Sequence, residues 1–145
     1  MSSEEYQREI FEKIIGGSRG VLHIGAHLGQ ESKLYQSSQT QVKWIEAIPE
    51  IAALLAEDLQ NIPGQKVITA LLGRQNLESI KLNLSSNNFE SSSVYEFGSE
   101  IGFANLRMTT SIQLPMLRLD TIFTKNDLAK YQTWIIDVQV PNLMF

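Results

Sequence analysis

The first half of the chain alternates between short apolar runs and segments in which apolar residues recur at helical spacing. Gly16 and Gly17 end the first helical segment, and Pro49 suits the first turn of a later one. The pattern predicts helix 2–16, strand 21–24, helix 30–36, strand 41–47, helix 49–60 and strand 66–72. The apolar face of the first helix consists of Tyr6, Ile10, Phe11, Ile14 and Ile15.

The second half has a different pattern, in which apolar and polar residues alternate and polar segments intervene. Pro115 indicates an edge or a bend in one of its strands, because proline cannot donate to a sheet ladder. The predicted elements are strand 77–84, polar loop 85–93, strand 111–119, a short helix within 119–130 and strand 133–138.

The alternation of strands and helices indicates an α/β fold. Such an order is typical of a parallel sheet with helices on its faces and right-handed crossovers. The 145 residues fit a single domain, in which residues 1–20 form an N-terminal helix and lead-in.

Composition excludes several classes of function. Hydrophobic residues make up 43% of the chain and charged residues 19%, which are ordinary globular values. The net charge of −4 argues against a nucleic-acid partner, which needs clustered Lys and Arg. The absence of cysteine excludes disulfides, thiolate metal sites and a Cys nucleophile, and two histidines make a histidine-rich metal site unexpected. We find no signal peptide or membrane span, and we expect a cytoplasmic protein without a membrane partner.

The segment VLHIGAHLGQE, residues 21–31, predicts a strand, a glycine-rich turn and a helix start. Gly25 lies just past the strand, where glycine permits a tight turn and a close approach of ligand to backbone. Gly29 lies where the helix must start close to the sheet. We expect the amides of this turn to face an anionic or polar group of a nucleotide-like cofactor.

Glu46 ends the second predicted strand, 21 residues after Gly25. An acid about 20 residues beyond such a turn can accept hydrogen bonds from ribose hydroxyls. The alternative is that Glu46 is a solvated acid at a strand end. The Gly25–Gly29 segment, GAHLG, is not a G-x-G-x-x-G fingerprint, which weakens NAD and favours a cofactor without a pyrophosphate, such as S-adenosylmethionine.

Five segments, HIGAHLGQE, WIEAIPE, SSNNFESSS, LRLDTIF and WIIDVQ, occur in this order and resemble the FkbM family of S-adenosylmethionine-dependent methyltransferases. The resemblance covers about residues 21–139. It implies a Rossmann-like class I methyltransferase sheet with helices on both faces. It also implies O-methylation of a hydroxyl on a sugar or natural product, so the expected partner is a small-molecule or glycan acceptor.

The resemblance also implies site residues. The cofactor loop corresponds to Gly25, Ala26, His27 and Gly29, followed by the polar residues Gln30 and Glu31. The ribose-binding acid corresponds to Glu46, and the positions beside the adenine to Ala47 and Ile48. Further matches are the serine-rich segment with Ser91, Ser92 and Ser93, the aspartate Asp120, and the pair Asp137 and Gln139. No metal site is expected.

The chain departs from the family at two places. Many members have Asp where this chain has His23, which puts one cofactor contact in question. The family continues beyond Gln139 with a helix and further strands, whereas this chain ends at Phe145. We therefore expect the last strands of the sheet to be missing, with an exposed sheet edge that either pairs with another chain in a homodimer or leads to aggregation and poor solubility.

Asp137 is the candidate catalytic base, because it ends a buried strand on the expected ligand side. The alternative is that Asp137 only positions the cofactor. Trp44 and Trp134 lie in predicted strands, and we expect both to pack in the core. Two other functions stay open: a dinucleotide-binding domain of an oxidoreductase, and a truncated, non-catalytic remnant that still binds the cofactor.

Overall fold

The computed structural model describes residues 2–95 and 106–138. In chain order the elements are α1 (Ser3–Gly16), β1 (Gly20–Ile24), α2 (Ser32–Ser37), β2 (Gln41–Glu46), α3 (Pro49–Leu59), β3 (Gln65–Thr69), β4 (Leu71–Leu72), β5 (Leu77–Ser85), β6 (Met108–Leu117), α4 (Leu119–Ile122), α5 (Lys125–Leu128) and β7 (Thr133–Ile136). They form two compact units, which divide near Thr69 and again near Phe123.

The first unit contains a four-stranded parallel sheet in the order β3-β2-β1-β7. The chain builds β1, β2 and β3 outward in one direction and then returns to place β7 on the other side of β1. Strand order therefore reverses between β1 and β7, which makes this a topological switch point. The α/β prediction is confirmed, and the arrangement is compatible with a Rossmann-like fold.

One face of this sheet packs against the first three helices. The core cluster consists of Ile15, Val21, Ala26, Tyr35, Val42, Trp44, Leu55 and Leu59, to which α1, α2 and α3 each contribute. All five positions of β1 are buried, so both faces of this strand are covered, as is usual in parallel sheets. Because β1 is covered on both faces, its carboxyl end has a fixed position.

The second unit contains a three-stranded sheet in the order β4-β6-β5. β5 and β6 form an antiparallel pair, and β4 adds to β6 in parallel. The amino-terminal half of β5 exposes the polar residues Glu78, Ser79 and Lys81, whereas Leu82–Ser85 are all buried. The half-exposed strand predicted over 77–84 is therefore correct only for its first part.

Several boundaries differ from the prediction. The strand predicted over 66–72 is interrupted at Ala70, and its two parts belong to different sheets. The helix expected from residue 30 begins at Ser32. The helical segment within 119–130 is two short helices, because Thr124 forms a capping box with Asp127 and starts a new helix.

Two expectations about apolar residues are wrong in part. Trp44 is fully buried, but Trp134 is 41% exposed, because it lies on the edge strand β7. In α1, Ile15 belongs to the core, whereas Tyr6, Ile10 and Ile14 are exposed. The apolar face of α1 is therefore wider than the part that the core covers. In the part of the chain that the structure describes, no helix is long and apolar enough to cross a membrane.

Candidate functional site

The site lies where the carboxyl ends of β2, β1 and β7 meet. Glu46 is the last residue of β2, Gly25 follows β1 and Asp137 follows β7. The amide of Asp137 donates to the Ile24 carbonyl oxygen at 2.9 Å, which ties the two strand ends together. The structure thus brings together three predicted site features at the switch point, where open α/β sheets bind their ligands.

The glycine loop, defined as Gly25–Gly29, has an unusual backbone. Gly25, His27 and Gly29 have φ values of 82°, 45° and 65°, all in the left-handed region. A side chain at Gly29 would also collide with Leu55 Cδ1 of α3. The left-handed φ therefore favours glycine at Gly29, and a side chain there would also require Leu55 Cδ1 to move. His27 is in a conformation that histidine tolerates better than most residues do.

The amides of the glycine loop donate inward to the protein. Gly25 and Ala26 both donate to the Ile45 carbonyl oxygen, at 3.0 and 3.1 Å. Gly29 donates to the Ala26 carbonyl oxygen at 2.9 Å, and His27 donates to Glu46 Oε2 at 2.8 Å. Each amide has a single proton. The expectation that these amides face an anionic cofactor group is therefore wrong for these four.

Glu46 is buried, with 7% of its surface exposed, so it is not a solvated strand-end acid. Its Oε2 accepts from the His27 amide, and its Oε1 accepts from the Ile48 amide at 2.9 Å. A carboxylate has about four lone-pair positions, and the two amides use two of them. Glu46 therefore keeps acceptor capacity for two hydroxyl groups. Beside it, Ala47 is half-buried and the Ile48 side chain is buried.

A second carboxylate, Glu31, lies near Asp137. Burial raises the pKa of Glu31, a backbone hydrogen bond lowers it, and the negative charge of Asp137 raises it further. Asp137 itself is exposed at the end of β7. We call Glu31, Glu46 and Asp137 the acidic rim. Gln30 is exposed beside the rim, and its Nε2 lies 3.2 Å from His27 Nδ1.

His23 belongs to the core beneath the glycine loop. Its Nδ1 lies 2.9 Å from Tyr35 Oη, and its ring stacks on Trp44 with centroids 4.7 Å apart. Burial lowers the pKa of His23 to about 4, so the ring is neutral near pH 7. His23 does not replace the acid that many family members have, because its contacts are with core side chains.

Tyr35 is a further residue of this core, and no motif in the sequence marks it. It is fully buried, contacts both His23 and Trp44, and burial raises the pKa of its hydroxyl. Trp44 in turn donates through Nε1 to Gln65 Oε1 at 2.9 Å. A tyrosine on the inner side of a predicted amphipathic helix indicates burial. Its ring partners His23 and Trp44, however, lie in β1 and β2 and cannot be predicted from the helix alone.

The serine loop, defined as residues 85–93, belongs to the second unit. Ser85 donates its amide to Ser92 Oγ at 3.1 Å, and Ser91 donates its amide to Ser85 Oγ at 3.0 Å. Ser93 and Asn83 form a β-bridge. The loop is thus organised by its own hydrogen bonds, and a cofactor contact through Ser92 stays a prediction.

Two other predicted residues lie elsewhere. Asp120 also belongs to the second unit, where it is exposed and forms a two-pronged ion pair with Arg118 at 2.8 and 2.5 Å. Gln139 lies outside the described residues. Among the residues that the structure describes, no group of three or more His, Asp or Glu side chains could hold a metal ion.

No family model matches the chain, and no curated protein matches it. Among solved structures, the chain is similar to the crystal structure of the YcgJ protein from Bacillus subtilis, with 15% sequence identity and a TM-score of 0.39. The likeness covers 46% of this chain and 30% of that protein.

Proposed function

We propose that the glycine loop and the acidic rim bind S-adenosylmethionine, and that the protein belongs to the methyltransferases that act on a hydroxyl group of a small molecule or glycan. One observation carries the proposal. The amides of Gly25, Ala26, His27 and Gly29 are bonded inside the protein, and the charged side chains beside the loop include the carboxylates of the acidic rim.

This arrangement distinguishes the two nucleotide cofactors by charge. The pyrophosphate of a dinucleotide needs free N–H donors and carries negative charge. Near Glu31 and Asp137 each additional negative charge would cost about 1–4 kcal/mol at 4 Å separation. S-adenosylmethionine has no phosphate and carries a sulfonium and an ammonium group, so the same carboxylates attract it. The residues present therefore fit S-adenosylmethionine better than NAD.

Each rim residue has a role in this proposal. The remaining lone pairs of Glu46 accept the two ribose hydroxyls, and Ala47 and Ile48 lie beside the adenine. When bound, the cofactor supplies an electrophilic methyl group. The chain holds the acceptor hydroxyl in line with that group and excludes water. Asp137, exposed at the switch point, accepts the proton that leaves the acceptor hydroxyl.

Calorimetric titration of the chain with S-adenosylhomocysteine, ATP and NADH tests the proposal. We expect saturable binding of S-adenosylhomocysteine and no measurable binding of the two phosphate-bearing nucleotides. ATP serves as a control for recognition of adenosine alone. Tight binding of NADH without binding of S-adenosylhomocysteine would instead support a dinucleotide-binding domain.

A further inference from the structure

We propose that Glu46 is a positioning residue, whose carboxylate fixes the glycine loop to the start of α3 before any ligand is bound. The ligand-related part of this inference rests on the proposed function. The positioning part concerns the protein without ligand. It is based on the geometry of the glycine loop, the end of β2 and the start of α3.

The two oxygens of Glu46 connect segments that are distant in the sequence. Oε2 holds the amide of His27, 19 residues away, at 2.8 Å, and Oε1 holds the amide of Ile48 at 2.9 Å. Glu46 as a residue is buried. Hydrogen bonds from an amide to a buried carboxylate are short and about twice as strong as neutral ones. Glu46 therefore acts on both segments at once.

The start of α3 needs this carboxylate. Its N-cap residue, Ile48, has no side chain that can cap the helix, and Pro49 at the first helical position has no N–H. Glu46 instead supplies the acceptor for the Ile48 amide, and its negative charge lies near the positive end of the helix. Glu46 thus takes for α3 the part that the N3 Glu takes in a capping box, whose side chain accepts from the N-cap amide.

The loop and α3 also meet at a second point. Gly29 approaches Leu55 so closely that no Cβ fits between them. The hydrogen bond from the His27 amide to Glu46 restrains His27, whose φ of 45° is uncommon for a residue with a side chain. Since the loop conformation is uncommon, it needs such restraints from outside. Glu46 supplies one of them through a side chain that also faces the proposed ribose position.

The direct test is amide hydrogen exchange in the free protein, measured by NMR. Glu46→Gln preserves size but places an NH2 group opposite an amide N–H. We expect the amide that faces the NH2 group, either that of His27 or that of Ile48, to exchange at least about tenfold faster, since it loses its hydrogen bond to a charged acceptor. The matched control is Glu57→Gln, because Glu57 is an exposed acid in α3. This substitution should leave the exchange rates of both amides unchanged. Equal protection of both amides in the two variants would overturn the inference.

A second variant covers the case in which Glu46→Gln does not fold. Glu46→Asp keeps the charge but is shorter by one methylene, so it cannot reach both amides. We expect one amide to lose protection and the other to keep it, and full protection of both would contradict the positioning role.

Binding of S-adenosylhomocysteine separates this inference from the proposed function. If both are correct, the variant that loses protection also binds S-adenosylhomocysteine at least about tenfold more weakly than Glu57→Gln does. If the unaltered protein does not bind S-adenosylhomocysteine, the proposed function fails, and the exchange rates still decide whether Glu46 positions the loop.

Discussion

The glycine loop and the serine loop are both irregular segments with left-handed residues, but they are held in opposite ways. The glycine loop is restrained from outside, by the Ile45 carbonyl and the Glu46 carboxylate of a neighbouring strand. The serine loop is restrained largely from within, by bonds among residues that are two to seven positions apart, such as Ser85 to Asn87 and Ser85 to Ser92. In addition, Ser86 exchanges two hydrogen bonds with Arg107.

This difference affects what each loop can bind. In the serine loop, the polar side chains of Ser85, Asn87 and Ser91 bond to one another, and even the left-handed Phe89 donates its amide to Ser85. In the glycine loop the backbone is bonded, but the acid that holds it keeps two acceptor positions. The carboxylate that holds the glycine loop can thus also accept hydrogen bonds from a ligand. The bonded side chains of the serine loop can do so to a lesser extent.

The largest expected effect comes from a substitution within the glycine loop itself. Gly29→Ala introduces a side chain where φ is 65° and where Leu55 Cδ1 already lies. The left-handed conformation costs about 1–2 kcal/mol and overpacking about 1–3 kcal/mol, so the free energy of unfolding should fall by about 2–5 kcal/mol. Denaturant unfolding followed by circular dichroism measures this change.

Gly17→Ala is the matched control for that substitution. Gly17 caps α1 at φ −95°, and an added Cβ would meet no atom within 4 Å. We expect the stability to stay the same or rise by up to about 1 kcal/mol, because alanine restricts the unfolded chain. Equal effects of the two substitutions would show that the glycine loop is not packed against α3.

Acid should destabilise the first unit, because it contains His23, whose pKa burial lowers. The pKa of buried His23 is about 4 in the folded protein and near 6.5 when unfolded. Between these values the unfolded chain binds a proton that the folded chain does not. The His23 contribution is therefore fully present above pH 6.5 and is lost as the pH falls to 4, by about 3 kcal/mol in total.

Unfolding free energies measured from pH 7 to pH 4 check this prediction. Carboxylates also titrate in this range, so the comparison is between slopes. In His23→Gln the free energy of unfolding should change less steeply with pH than in the unaltered protein. In His27→Gln it should change as steeply as in the unaltered protein, because His23 is still present. An unchanged slope in His23→Gln would contradict the assigned cause.

A smaller, local effect is expected in the serine loop. Ser85→Ala removes the nearer of the two acceptors of the Ser91 amide and the donor to Asn87, whose Oδ1 is the second acceptor. We expect faster exchange of the Ser91 amide, corresponding to about 1 kcal/mol, while the His27 amide keeps its rate because its acceptor is Glu46. Ser38→Ala, at an exposed serine, is the control. If the Ser91 amide is as protected as in the control, the loop is not held from within.

The sequence was sufficient to predict the elements whose signals are local. Apolar runs located β1, β2 and β7, and Pro49 marked the start of α3 within a residue. Gly25 and Gly29 were recognisable because left-handed backbone favours glycine. Glu46 was identified by its spacing from the loop, although its restraining bonds to His27 and Ile48 were not.

Features that depend on distant partners could not be predicted. The break at Ala70 separates two strands of different sheets, and the apolar run across it continues without a signal. Trp134 has the composition of a core residue, and only its place at a sheet edge explains its exposure. The inward direction of the loop amides required knowledge of where the Ile45 carbonyl lies. Each of these facts is set by tertiary structure.

The central claim is that the glycine loop and the acidic rim hold a cationic adenosyl cofactor without a phosphate. Titration of isotope-labelled protein with S-adenosylmethionine, followed through amide chemical shifts, tests it most directly. The account predicts saturable shifts that are largest at Gly25–Gly29, at Glu46–Ile48 and at Asp137. Shifts confined to other residues, or a response of the glycine loop to NADH alone, would contradict it.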